Sequence, residues 1–113
     1  MLAFNALSDP TRQRIVEMLA ARELSAGAIA DEFDVSAPAI SQHLKVLKEA
    51  KLVRVRAEAQ RRIYALDPAG FEELDDWLTR IRRFWRGKLD LLEQAIKDDD
   101  RKSRRGKAGR KQS

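Results

Sequence analysis

The stretch Leu24–Leu52, LSAGAIADEFDVSAPAISQHLKVLKEAKL, admits few folds, because it reads as two short helices joined by a tight turn. In its first half Ile29, Ala30 and Phe33 fall at helical spacing behind Ser25, whose hydroxyl can cap the free N–H groups of a helix start. In its second half Ser36 is the natural N-cap, and Pro38 lies in the first turn, where a missing N–H is harmless. Asp34 and Val35 are the expected turn. On a helical wheel Ile40, Leu44 and Leu47 make one narrow apolar stripe, while Pro38, Ser41, Gln42 and Lys45 occupy the opposite side. A short helix that buries one side and offers a small, polar, cationic face on the other suits reading of a DNA major groove. The same pattern also fits an ordinary surface helix of a small bundle, and this segment alone does not separate the two.

The distribution of charge favours the first reading. The net charge of +5 is uneven along the chain. Residues 9–35 and 67–100 are both acidic in balance. Residues 36–62 carry seven basic side chains, Lys45, Lys48, Lys51, Arg54, Arg56, Arg61 and Arg62, against only Glu49 and Glu58. The last thirteen residues, RKSRRGKAGRKQS, add seven positive charges and no acid. Basicity concentrated in one segment and a tail is the footprint of a phosphate-binding surface.

The rest of the chain supports this motif. Leu2, Phe4 and Leu7 form a short apolar helical turn that docks rather than stands alone. Ser8 or Asp9 caps a second helix with Pro10 at its first position and Ile15, Val16, Met18 and Leu19 on its buried side, ending near Arg22. The second helix of the motif stops around Ala50 and Lys51 without glycine, so Lys51 is a candidate left-handed cap. From Leu52 to Leu66, LVRVRAEAQRRIYAL alternates as a hairpin turning near Ala59 and Gln60, with Val53 and Val55 inward, Tyr64 and Leu66 as anchors, and Arg54, Arg56, Arg61 and Arg62 on or beside it. A basic hairpin right after a groove-reading helix is a wing, placed to reach a flanking groove or the phosphate backbone. Asp67 and Pro68 then start a helix running to about Lys97. Phe71, Leu74, Leu78, Ile81, Trp85, Leu92 and Ala95 give one apolar stripe; Trp77, Phe84 and Leu91 give a second. One stripe closes a small core, and two call for packing against a second copy. Gly87 marks a bend or a close backbone approach.

Several function classes are excluded. With no cysteine in 113 residues there is no disulfide, thiolate metal site or cysteine nucleophile. No apolar run approaches membrane-spanning length, and the start MLAFNALSDP lacks the features of a secretion signal, so a cytoplasmic protein is expected. The one histidine, His43, has no second histidine or serine arrangement to work with. Glu72–Glu73 and Asp75–Asp76 read as solvated helix surface, and Asp98–Asp99–Asp100 as an acidic helix end. No glycine-rich phosphate loop is present. An enzyme is not expected.

Three motifs, ALSDPTRQRIVEML, SAGAIADEFDVSAPAISQHLKVLKEAKLV and RRIYALDP, together resemble the ArsR/SmtB family of winged helix-turn-helix repressors, over about Leu2 to Leu92. FWRGKLDLLEQAI also looks like the last helix of a subgroup of that family. The resemblance implies a mainly α fold with a two-stranded β-wing, a homodimer formed through the first and last helices, and binding to an inverted-repeat double-stranded DNA operator. Metal-sensing members place paired cysteines where this chain has Ser25 and Gly27, and others use histidines on the last helix, which here has none. No metal site or cofactor is therefore expected, and any effector is a small molecule or protein that the sequence does not name.

The expected DNA-binding residues are Ser36, Ala37, Pro38, Ser41, Gln42, His43, Lys45, Lys48, Arg54, Arg56, Arg61 and Arg62. Ser41 and Gln42 would reach base edges, Ala37 and Pro38 thymine methyls, and Lys45 and the arginines phosphates. His43 would serve packing or a backbone contact. The expected dimer interface is Leu2, Phe4, Leu7, Trp77, Phe84, Trp85 and Leu91. Residues 1–97 form the DNA-binding and dimerisation domain, and 98–113 a disordered basic tail. The alternative is a winged-helix module for protein interaction or RNA, with the tail binding nucleic acid generically.

Overall fold

The computed structural model describes residues 1–112, with side chains through residue 102. Its elements run α1 (Leu2–Leu7), α2 (Pro10–Ala21), β1 (Leu24–Ser25), α3 (Ala26–Asp31), α4 (Ala37–Glu49), β2 (Val53–Glu58), β3 (Arg61–Leu66) and α5 (Pro68–Gln112). This is the expected winged helix-turn-helix with a long last helix. The chain divides into two units, Met1–Asp76 and Trp77–Ser113.

In the first unit the starts of α2, α3, α4 and α5 each carry a local side-chain hydrogen bond, whereas α1 has none. Asp9 accepts the Arg12 N–H at 3.0 Å, Ser25 the Ala28 N–H at 3.1 Å, Ser36 the Ala39 N–H at 3.3 Å and Asp67 the Ala69 N–H at 3.0 Å. Pro10 and Pro38 both lie in first turns. The connection between α3 and α4 is longer than the Asp34–Val35 turn expected. α3 ends at Asp31, and Phe33 packs against the core from the connection, with the Arg14 guanidinium 4.9 Å from its ring centre.

Seven large side chains are completely buried: Ile15, Ile29, Ile40, Leu44, Leu47, Leu52 and Val53. At about 1.5–3 kcal/mol each they tie α2, α3, α4 and β2 into one core. α1 docks through Ala3, Ala6 and the half-buried Leu7, while Leu2 is 64% exposed and Phe4 39%. The wing is antiparallel, with Val53 opposite Leu66 and Glu58 opposite Arg61, and a two-residue turn at Ala59–Gln60. A third strand, unforeseen in the sequence, completes the sheet in the order β1-β3-β2 by pairing Leu24 with Tyr64 and Ser25 with Ile63. β3 is thus central, and Ile63, Tyr64 and Ala65 are all buried.

In the second unit the helix exposes Leu78, Phe84, Trp85, Leu89, Leu91, Leu92 and Ile96. Phe84 and Trp85 meet edge to face at 5.9 Å, and the Lys88 ammonium lies 5.0 Å from the Phe84 ring. A Cβ on Gly87 would meet nothing within 4 Å, so no close backbone approach in this chain explains that glycine. α5 continues to Gln112 rather than ending near Lys97, and the expected basic tail 98–113 lies, from residue 103 on, outside the residues whose side chains are described. No helix among the described residues is long and apolar enough to cross a membrane.

Candidate nucleic-acid interface

The outer face of α4 follows from its inner one. With Ile40, Leu44 and Leu47 fixed in the core, helical periodicity leaves Ser36, Ala37, Pro38, Ser41, Gln42, Lys45 and Lys48 exposed. The wing lies beside this row. A groove of about 330 Å³ is lined by Ser41, Gln42, Lys45 and Lys48 of α4 and by Arg62 and Tyr64 of β3. Base-reading candidates and cations from two elements thus share one concave surface. A second groove of about 330 Å³ brings Arg61 and Arg62 against Ser25 and Gly27 at the start of α3.

The expected cations are not equivalent. Among the described residues Lys45, Lys48, Arg54, Arg61 and Arg62 enter no ion pair, and their charge is available to an anion. Arg56 differs. Its guanidinium is held by Glu23, just before β1, and by Glu58 of its own strand at 3.3 Å. The Glu23 hydrogen bond, aided by the charge of both carboxylates, raises its pKa above the usual arginine value. Nothing in the sequence pairs Glu23 with Arg56, which lie 33 positions apart; only the antiparallel sheet brings them together.

His43 also stands apart from the exposed row. It is half-buried on the flank of α4, where its Nδ1 lies 3.2 Å from Nη1 of Arg12 and 3.9 Å from Oδ2 of Asp9. Arg12 also donates from Nε to the Ala6 carbonyl at 2.6 Å and from Nη2 to the Asn5 carbonyl at 3.3 Å. The Arg12 N–H, with the nearby His43 and Arg12 side chains, holds the Asp9 carboxyl below the usual value against the opposing effect of burial. That stabilisation is present above the ordinary aspartate pKa and is lost as pH falls through the lowered one. Arg12 was not foreseen as part of the site. Its only sequence signal is its place three residues into a helix that Asp9 caps.

No group of three or more histidine, cysteine, aspartate or glutamate side chains is gathered among the described residues. Ser25 is the N-cap of α3 and Gly27 is exposed, so neither position offers a thiolate to a metal ion.

Comparison with known proteins agrees with this architecture. Residues 7–56 match a family model described as a helix-turn-helix domain. The chain is similar to the HTH-type transcriptional regulator Rv2034 of Mycobacterium tuberculosis, 48% identical over 83% of this chain and 85% of the relative. It is also similar to the transcriptional repressor SdpR of Bacillus subtilis, 36% identical over 66% of this chain and 83% of the relative. Among solved structures, an ArsR-like transcriptional regulator from Rhodococcus sp. RHA1 superposes with a TM-score of 0.71 at 30% identity, covering 86% of this chain and 89% of that one.

Proposed function

Since this chain belongs to the ArsR family of helix-turn-helix transcriptional regulators, we propose that it works as a homodimeric repressor, reading an inverted-repeat operator with α4 and holding the flanking phosphates with its wing. It is a DNA-binding regulator and not an enzyme. The observation that carries the operator reading is the groove in which Ser41 and Gln42 lie beside the unpaired cations Lys45, Lys48 and Arg62. Small and amide side chains read base edges and methyls, and the cations around them displace counterions from the backbone.

Homodimerisation is supported by apolar surface that this chain leaves open. Leu2 and Phe4 on α1, and Phe84, Trp85 and Leu91 on α5, are at least 39% exposed, whereas Leu7 and Trp77 are half-buried. A soluble monomer rarely tolerates so much aromatic surface in water. Two copies related by a twofold axis would set their α4 helices about one helical turn of DNA apart, so the operator would be an inverted repeat. Regulation would come from protein abundance or a non-metal effector, because a chain without cysteine and with one histidine lacks the soft ligands that transition-metal sensing needs.

Footprinting on the DNA upstream of the protein's own gene, with duplex and RNA competitors, tests the proposal. A protected inverted repeat that resists both competitors is expected. Gln42→Ala should weaken binding by about 1–3 kcal/mol and relax preference at one base pair, whereas Lys48→Ala should weaken all sequences alike and lower the salt slope by about one. Equal competition by RNA, or uniform loss from both variants, would reject α4 as a base reader.

A further inference from the structure

We propose that the groove between the ends of α2 and α3 is an effector site, which takes a small zwitterion with an apolar body, of the class of a free amino acid or a dipeptide. The proposal rests on the reading of the chain as a regulator with a non-metal effector, and deepens it. The groove holds about 400 Å³. One wall is Met18, Ala21 and Arg22 at the end of α2, and the other is Ala28, Asp31 and Glu32 at the end of α3, with Leu24 of β1 joining them. Each trio has the spacing i, i+3, i+4, so each wall is one face of a helical turn. Burial sorts the lining by polarity: Met18, Leu24 and Ala28 are half-buried, whereas Arg22, Asp31 and Glu32 are exposed. An apolar floor under a few polar groups is how proteins hold small molecules.

The charges select the ligand. They are opposite and stand on opposite walls, yet they do not neutralise each other: among the described residues Arg22, Asp31 and Glu32 enter no ion pair. A guanidinium donates to a carboxylate, and a carboxylate accepts from an ammonium. A ligand that carries both charges answers both walls at once, with its apolar part over the floor. An ion of one sign would leave one wall unanswered. The position of the groove gives its occupancy a consequence. α2 and α3 each pack on α4 and β3, but make little direct contact with each other. A ligand that bridges the walls therefore biases the angle of α3 to α2, and α3 carries α4 with it. Linkage then requires ligand and operator to alter each other's affinity by one common factor. The groove shares no residue with the one between α4 and the wing, so both can be filled together.

Amide spectra of the full chain without DNA read the site. The probes are leucine, methionine, phenylalanine and the dipeptide leucyl-leucine, each compared with its N-acetyl and its amide derivative, which lack one charge. Saturable shifts confined to the ends of α2 and α3 are expected with at least one zwitterion, and binding about tenfold weaker or more with its two derivatives. Arg22→Gln should erase the preference for the free acid over the amide. Asp31→Asn with Glu32→Gln should erase the preference for the free amine over the acetyl form. Both sets replace exposed side chains, and general damage to the fold does not exchange one preference for the other. The best-binding zwitterion should change operator affinity about fivefold or more, and the operator should change the affinity of that ligand by the same factor. No saturable shift with any of the four, or equal binding of the derivatives, would overturn the site. Binding that leaves operator affinity unchanged would overturn its role as an effector site. Neither result alters the footprint of the ligand-free protein, so the reading of α4 stands or falls separately.

Discussion

At Lys51 the backbone takes φ 59°, a left-handed conformation that disfavours a side chain by about 1–2 kcal/mol. The surroundings explain why it persists. The Leu52 N–H bonds the Leu47 carbonyl at 3.0 Å and the Lys51 N–H bonds that of Lys48 at 3.0 Å, which together close α4 in a Schellman motif. The same turn aims the Lys51 carbonyl at the Gly70 N–H, 2.8 Å away in the first turn of α5. Gly70 is therefore required for close approach rather than for backbone freedom: a Cβ there would lie 2.5 Å from the Lys51 oxygen and 2.8 Å from that of Ala50. Gly70→Ala should destabilise the protein by about 2 kcal/mol or more, since backbone must move to admit it. Lys51→Gly, which relieves the strained cap, should stabilise it by about 0.5–1 kcal/mol. Urea unfolding of the two variants checks both signs, and a stabilised Gly70→Ala would contradict the packing described.

Among the elements, those with strong local signals were legible in the sequence. Ser25, Ser36 and Asp9 announced three helices, and the Val53–Val55 alternation announced the wing, because caps and periodicity act within a few residues. β1 was not legible. Two residues have no period, and Leu24 and Ser25 become a strand only because β3 passes alongside. The same long-range pairing created the Arg56–Glu23 contact, which alters what the wing contributes. Arg56 alone suggested a phosphate ligand, yet a carboxylate already occupies it. Arg62→Ala should therefore weaken binding to any duplex more than Arg56→Ala does. Glu23→Gln should raise affinity several-fold at low salt and steepen the salt slope by about one. Repeating Glu23→Gln in an Arg56→Ala background removes the simple effect of deleting a negative charge. If the gain is unchanged there, Glu23 is not acting through Arg56.

At the scale of the whole molecule, the charge order on α5 bears on how two copies would meet. From Trp77 to Lys88 the helix carries Arg80, Arg82, Arg83, Arg86 and Lys88 and no acid; from Leu89 to Asp100 it carries five acids and only Lys97. Laid antiparallel and centred near Leu89, two such helices set each basic block against an acidic one, and the exposed Trp85, Leu89, Leu92 and Ile96 fall within one stripe along the contact. Parallel pairing would oppose like charges. Reversing Arg82 and Arg86 to glutamate should weaken the dimer about tenfold at low salt, as several exposed pairs of about 0.2–1 kcal/mol are lost. Changing Glu93 and Asp100 to lysine in the same chain should recover it. Sedimentation over a range of salt reads this directly, and a dimer indifferent to both changes would exclude antiparallel pairing through these blocks.

The carboxylate on Arg56 also bears on how such a protein would search a genome. Random sequence retains a DNA-binding protein only through phosphates, so each cation already paired within the protein shortens the stay at a wrong address. At an operator, base contacts would prolong the encounter and give a phosphate time to replace Glu23. One surface glutamate, outside the groove proposed to read DNA, would thereby shift dwell time from the many sites where the protein has no business to the few where it does.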